Sequence, residues 1–210
     1  MIISHLDKDY NPPCENGANI YSQNICKFFI PNIDTDRNWV TVNIEKCLDH
    51  SIVFIHSNVG LPHKYDYLKK YKDLILICSQ IKTAKALENY GHVEYLPLSV
   101  DVDYIKKFWV SNKDKSACYA GRYGKNGFSE LERKRVDMLY NISHNELLHR
   151  MAYYHYVYAV GLTAIEAKVL GCNVLPYDSR YPVPSVWKVK ACYEMIQPLQ
   201  QIIRKYEHKV

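Results

Sequence analysis

Apolar runs rich in β-branched residues recur through the first half of the chain, at 2–6 (IISHL), 38–44 (NWVTVNI), 51–57 (SIVFIHS), 74–79 (LILICS) and 93–98 (VEYLPL). Runs that stay apolar over successive positions, instead of alternating, suit strands of a parallel sheet covered on both faces. Between them, 18–29, 65–71 and 83–90 carry helix-like patterns, and Gly91 is well placed as a C-cap after the last. Strand alternating with helix predicts an α/β unit with right-handed crossovers.

The stretch 99–116 is polar and charged at both ends and reads as a link between domains. A second α/β series follows: a strand at 116–122, a helix near 129–135, a short strand at 136–140, a helix at 144–151 and a strand at 153–159. Next comes GLTAIEAKVLGCNVLPYD (161–178), a glycine turn, a short helix carrying one glutamate, then Gly171 and a strand. The segment 181–187 is a proline-stiffened loop, and 191–207 is a terminal helix that Pro198 is expected to kink or interrupt. The expected fold is α/β, with two small Rossmann-like domains facing each other across a cleft. The domains are placed at 1–104 and 105–188, with a C-terminal helix at 189–210 that can return to the first.

Composition narrows the class. With 210 residues, 48% hydrophobic and 23% charged, the chain has material for a sizeable core. Neither an apolar run of membrane-spanning length nor the apolar stretch of a secretory signal occurs, so the protein is expected to be cytoplasmic, without a transmembrane segment. The seven cysteines are an odd number, scattered and without a CxxC, as for buried thiols in a reducing compartment. The formal net charge of +5 is dispersed and fits an anionic ligand or a nucleic-acid surface equally well. The nineteen tyrosines lack the aromatic spacing of an RNA-binding sheet.

The dinucleotide fingerprint GxGxxG and the P-loop are both absent. Asp34-Thr35-Asp36 and Asp101-Val102-Asp103 each match the DxD that holds a metal-nucleotide in GT-A glycosyltransferases, but two-acid matches are frequent by chance. A surface turn and a linker are the stronger readings for them. His144, His149 and His155 lack the spacing and cysteine partners of a zinc site. No metal is expected.

Open α/β sheets bind ligands outside the carboxyl ends of their strands, so the chemistry should cluster in strand-to-helix turns. In AGRYGKNG (120–127) a strand delivers Arg122 and Lys125 into a glycine-flexible turn, a receptor suited to a diphosphate. In the segment from 161, the backbone N–H groups of Gly161, Leu162 and Thr163 lie at a helix N-terminus, where an anion is stabilised. Glu166 on that helix can accept hydrogen bonds from vicinal hydroxyls such as a ribose diol. His56 ends the apolar run 51–57.

Taken in order, the two turns resemble the C-terminal half of GT-B glycosyltransferases, specifically the large retaining family 4-like group that uses nucleotide-diphosphate sugars. That family has a Gly-Arg turn with a following Lys for the diphosphate, and a Glu-x7-Glu segment of the form GLxxxEAxAxGxPV for the nucleotide sugar. The matches are Gly121, Arg122, Lys125 and Gly127, then Gly161, Leu162, Glu166, Ala167, Gly171 and Val174. The segment 96–108 is similar to the family's exit from its N-terminal domain, 16–29 looks like its Gly-rich loop and first helix, and 54–58 resembles a strand-end His motif. Three departures stand out. The first glutamate of Glu-x7-Glu falls on Tyr158, the Arg-to-Lys spacing is shorter, and the chain is about half the family's common size.

The resemblance implies a metal-independent, retaining transfer of a sugar from a nucleotide-diphosphate donor, UDP-sugar foremost, without a separate cofactor. Arg122 and Lys125 would stabilise the departing diphosphate, Gly17, Gly121, Leu162 and Thr163 would lie at the donor, and His56 would orient the sugar or acceptor. The acceptor is left open among a glycan, a small molecule and modified DNA. A non-catalytic protein that sequesters a nucleotide or nucleotide sugar, and a DNA-modifying glycosyltransferase, are the alternatives. Exposed tyrosines and the terminal helix offer a surface for a homodimer.

Overall fold

The computed structural model describes residues 1–3, 17–41, 47–56, 62–121, 131, 135–177 and 183–207. The chain divides into two compact units, one of Met1–Asn11, Ala18–Pro97 and Cys192–Val210, the other of Pro12–Gly17 and Leu98–Ala191. Each is built on a parallel sheet, as the alternation of apolar runs and helical stretches predicts.

The first unit holds a five-stranded sheet: β1 (Ile2–Ile3), β2 (Asn38–Val40), β3 (Ser51–Ile55), β4 (Leu74–Cys78) and β5 (His92–Tyr95), in sequential order. Every residue of β3 and β4 is buried, because both sheet faces are covered. On one face Trp39, Phe54 and Phe29 stack at ring-centroid spacings of 6.0 and 6.1 Å, with Tyr21 edge-on to Phe54. Against the other, Val40, Val53, Ile55, Leu74 and Leu76 pack with Tyr65, Leu68 and Leu87. Among the described residues no disulfide forms, and burial raises the Cys78 thiol to about 12.

The helices of this unit depart from their sequence patterns for steric reasons. The helix expected at 18–29 is α1 (Gly17–Asn24), followed by a wide π turn at Ile25–Phe29 and a 3-10 turn at Ile30–Asn32. Pro31 has no amide proton, and its ring would strike the carbonyl of Lys27 in a continuing α-helix. The pattern at 65–71 is a 3-10 helix, His63–Lys70, and that at 83–90 is α2 (Ile81–Ala86), which ends at Leu87. Gly91 is therefore not a helix cap. A Cβ there would lie 2.9 Å from the Leu74 carbonyl oxygen, so the glycine serves a close backbone approach.

The amino edge of the sheet carries a charged row. Arg37, His50 and Asp73 each immediately precede a strand, and His50 and Asp73 both have left-handed φ, 55° and 52°. Buried Arg37 donates to the Asp73 carbonyl at 3.0 Å and to its carboxylate at 3.1 Å. His50 bridges Asp36 through Nε2 at 2.9 Å and Asp73 through Nδ1. A neutral imidazole has one N–H and can donate to one carboxylate only, whereas the protonated ring donates to both. The bonds to Asp36 and Asp73 accordingly raise the His50 pKa. Asp36 is held below its ordinary value mainly by the bond from His50. Burial is the strongest single influence on Asp73 and pushes its pKa up, but the bonds from His50 and Arg37 together outweigh it and leave it lowered.

The His50 contribution is complete below its ordinary value of 6.5 and lost as pH rises through its raised value. Those of Asp36 and Asp73 are present above the ordinary 3.8 and lost as pH falls through their lowered values. Melting temperatures across pH 5–9 are therefore expected to decline on the alkaline side, and His50→Asn to flatten that decline. An unchanged slope would exclude His50 as its source.

The second unit holds a four-stranded parallel sheet of β6 (Lys115–Ala120), β7 (Asp137–Leu139), β8 (Tyr154–Tyr158) and β9 (Asn173–Leu175), in the order β7-β6-β8-β9. Within 99–116, α3 (Val102–Lys106) is capped by the Asp101 carboxylate, which accepts from the Tyr104 amide at 3.1 Å. The sheet connections carry α4 (His144–Met151), capped by Ser143, and α5 (Leu162–Val169). The helix expected near 129–135 lies largely outside the described residues.

Lys113 joins the carboxyl ends of these last two helices. Its Nζ donates to the Ala152 carbonyl at 2.6 Å and the Leu170 carbonyl at 3.0 Å, with the Cys172 Sγ at 3.4 Å. A cation here satisfies orphan carbonyls and opposes two helix dipoles. Lys113→Met, which keeps the apolar stem, is expected to cost about 2 kcal/mol in urea unfolding. A loss below about 0.5 kcal/mol would show the cap to be idle.

The terminal helix α6 (Ile196–Glu207) belongs to the first unit and begins only after a 3-10 turn at Cys192–Met195. Pro198 falls in its first turn, where the amide has no intrahelical acceptor, so it neither kinks nor interrupts the helix. Leu199 and Ile203, one helical turn apart, are fully buried. At the far end Tyr206 donates to Glu94 of β5 at 2.5 Å, its ring stacks on His92 at 4.3 Å, and Lys205 pairs with the same glutamate. Among the described residues no helix is long and apolar enough to cross a membrane.

Candidate functional site

The order β7-β6-β8-β9 creates a reversal that the sequential five-stranded sheet lacks. The chain leaves β6 toward β7 on one side, while β8, on the other side of β6, leads outward to β9. Where neighbouring strands send their connections apart, a crevice opens at their carboxyl ends. Tyr119 of β6 pairs with Tyr158 of β8, so Gly121 and Gly161 lie just beyond the carboxyl ends of these two adjacent strands. Two segments singled out by sequence, forty positions apart, thus end adjacent strands.

Gly161 has φ 65° and ψ −134°, a conformation that residues with a Cβ avoid. Among the described residues, a Cβ built on it would meet nothing within 4 Å. The glycine is therefore required by the bend of the chain, and no described residue crowds the space above it. It precedes α5, whose first turn includes Leu162 and Thr163 and has no side-chain cap. The amide groups of that turn retain capacity for an acceptor. Gly17 clusters with this unit, and a Cβ on it would lie 3.8 Å from the Leu162 Cβ. The far end of α5 closes with Gly171 at φ 76°, where Cys172 N–H bonds to the Ala167 carbonyl at 2.9 Å and Gly171 N–H to the Lys168 carbonyl at 3.0 Å. This is a Schellman closure, and it hands the chain to β9.

Gly121 is fixed by a neighbour. A Cβ there would come within 2.7 Å of the Tyr119 hydroxyl, and Tyr119 is itself fully buried, edge-on to Tyr177 at 5.0 Å. Tyr158 packs against the same cluster, with Leu131, Met138 and Tyr140. The position matched to the first acid of Glu-x7-Glu is thus part of an aromatic core.

Glu166 is 2% exposed, and its Oε1 lies 2.8 Å from Nε2 of His144, which is 9% exposed. A carboxylate only accepts, so Nε2 carries the proton. Two positions further on, Lys168 donates to the carbonyls of Pro184 and Trp187, both at 2.6 Å, and fastens the 3-10 turn Pro184–Val186 to α5. Burial lowers the Lys168 pKa. Sequence reasoning missed both partners. The Ser143 cap, three residues before Glu146, marks the start of α4 at His144, but no local pattern couples that histidine to Glu166.

Arg122 and Lys125 lie outside the described residues. His56 lies in the first unit at the carboxyl end of β3, where its carbonyl accepts from Ser79 Oγ at 3.1 Å and its ring meets Tyr21 at 5.7 Å. The two DxD matches have structural roles: Asp101 caps α3, Asp36 pairs with His50, and Thr35 Oγ1 donates to Glu207 at 2.7 Å. Asp34, Thr35, Asp36 and Arg37 line a pocket of about 330 Å³ with His50, Tyr206 and Glu207, at the amino edge of the sheet. Among the described residues no group of three or more His, Cys, Asp or Glu could hold a metal ion.

No protein-family model matches the chain, and no curated protein matches it either.

Proposed function

We propose that the protein is a small GT-B-type glycosyltransferase that moves a sugar from a nucleotide-diphosphate donor, UDP-sugar foremost, without a metal. The observation that carries this reading is the convergence of Gly121 and Gly161 on the reversal point of the second sheet, with Gly17 against Leu162. A helix N-terminus without a side-chain cap, and with no described residue over its glycine, suits a phosphate, and a buried carboxylate on the same helix suits a hydroxyl pair. In this mechanism Arg122 and Lys125 stabilise the charge growing on the departing diphosphate, electrostatic catalysis that needs no proton transfer to the leaving group. The first-turn amides of α5 and Gly17 hold the phosphates, and Glu166 holds the ribose. Retention of configuration rests on the resemblance.

The packing of Tyr158 into the Tyr119 cluster favours a second reading, nucleotide binding without transfer. A group facing the transferred sugar is then lacking on β8. Titration calorimetry with UDP, GDP, ADP and their sugars separates the cases. Binding with release of free nucleoside diphosphate supports the transferase, and binding without turnover supports sequestration. Absence of binding across the panel, together with an Arg122→Ala protein indistinguishable from wild type, would dispose of both.

A further inference from the structure

The hydrogen bond between His144 and Glu166 assigns a selectivity that neither residue has alone. Glu166 is held in the interior of α5, with Oε1 engaged by the imidazole of the first residue of α4. No hydrogen bond to Oε2 occurs among the described residues. One oxygen is thus anchored, which fixes the carboxylate plane, and the other is left as a directional acceptor. Having no proton to give, it can recruit only donors, and at the edge of a phosphate-binding turn the donors within a nucleotide are the sugar hydroxyls.

We propose that His144 is a positioning residue that aims Glu166 at the vicinal diol of a ribonucleotide, so that the pair makes the site select ribose over 2′-deoxyribose. This rests on the nucleotide-binding reading of the α5 turn. Affinity for a ribonucleotide then depends on the histidine, whereas affinity for its deoxy analogue does not. That asymmetry separates positioning from a loss of fold, which would weaken both ligands alike.

The test is calorimetric titration of UDP and 2′-deoxy-UDP against the full-length protein and its His144→Leu and His144→Gln variants. Wild type is expected to prefer UDP by roughly ten- to a hundredfold, the loss of one hydrogen bond to a charged group. His144→Leu should reduce this preference to within about threefold, mainly by weakening UDP. His144→Gln, whose amide nitrogen can take the place of Nε2, should restore most of it. Should the leucine protein fail to fold, His144→Asn, a polar side chain too short to reach Oε1, is expected to lose the preference in the same way. Equal preference in wild type and in the leucine or asparagine variant would overturn the role of His144 and leave the nucleotide reading standing. Wild type that binds both ligands equally would remove Glu166 from the diol, and wild type that binds neither would overturn the nucleotide reading itself.

Discussion

Glu166→Ala should destabilise the second unit by about 3–5 kcal/mol, because it strips a buried histidine of the acceptor it was folded against. The size of the effect comes from what remains. The imidazole N–H keeps its desolvation cost after losing its hydrogen bond, and that cost is no longer offset by the bond to the carboxylate. Glu166→Gln is the informative companion, since its amide oxygen still accepts from His144 Nε2. The glutamine protein should melt close to wild type yet bind a nucleotide at least tenfold more weakly, having lost the charge that strengthens a bond to a hydroxyl. Urea unfolding and calorimetry on the two variants check both halves. An alanine variant as stable as wild type would show that the pair contributes nothing to folding.

Leu199→Ala is expected to cost the first unit about 2–5 kcal/mol, the range for deleting a fully buried leucine. Leu199 and Ile203 supply the fully buried positions of α6, so their contacts cannot be replaced by neighbours on the helix. Gln201→Ala, on the exposed side of the same helix, should stay within about 0.5 kcal/mol of wild type. Denaturant titrations that give similar losses for both would mean that α6 is not docked through this face.

The sequence made the sheets more legible than their surroundings. β3 and β4 lie inside the runs at 51–57 and 74–79, since dense burial on two faces leaves a continuous apolar signal. α4 matches its pattern at both ends, its start marked by Ser143 and its amphipathic spacing undisturbed. Elsewhere a single ring or a single contact decided the outcome. Pro31 diverted a helix, Pro198 fell where it does no harm, and Gly91 answered to a carbonyl on β4 instead of a helix end.

At the candidate site, the two glycine turns were visible because each marks a backbone requirement. Their meeting was not, since it depends on β6 lying between β7 and β8. The partner of Glu166 sits 22 positions away on another helix, and the aromatic packing of Tyr158 draws on four separate segments. Such long-range pairings carry no local periodicity.

The division of the chain also bears on its biosynthesis. The first unit is interrupted by the whole of Leu98–Ala191 and is completed only by Cys192–Val210. On the ribosome, the inserted unit has emerged in full before Leu199 and Ile203 become available, so it can mature while the earlier sheet still lacks the helix that buries those side chains. The nascent chain therefore carries an incomplete hydrophobic surface from the completion of the five-stranded sheet until α6 emerges, and a chaperone that engages it would have its opportunity during that interval.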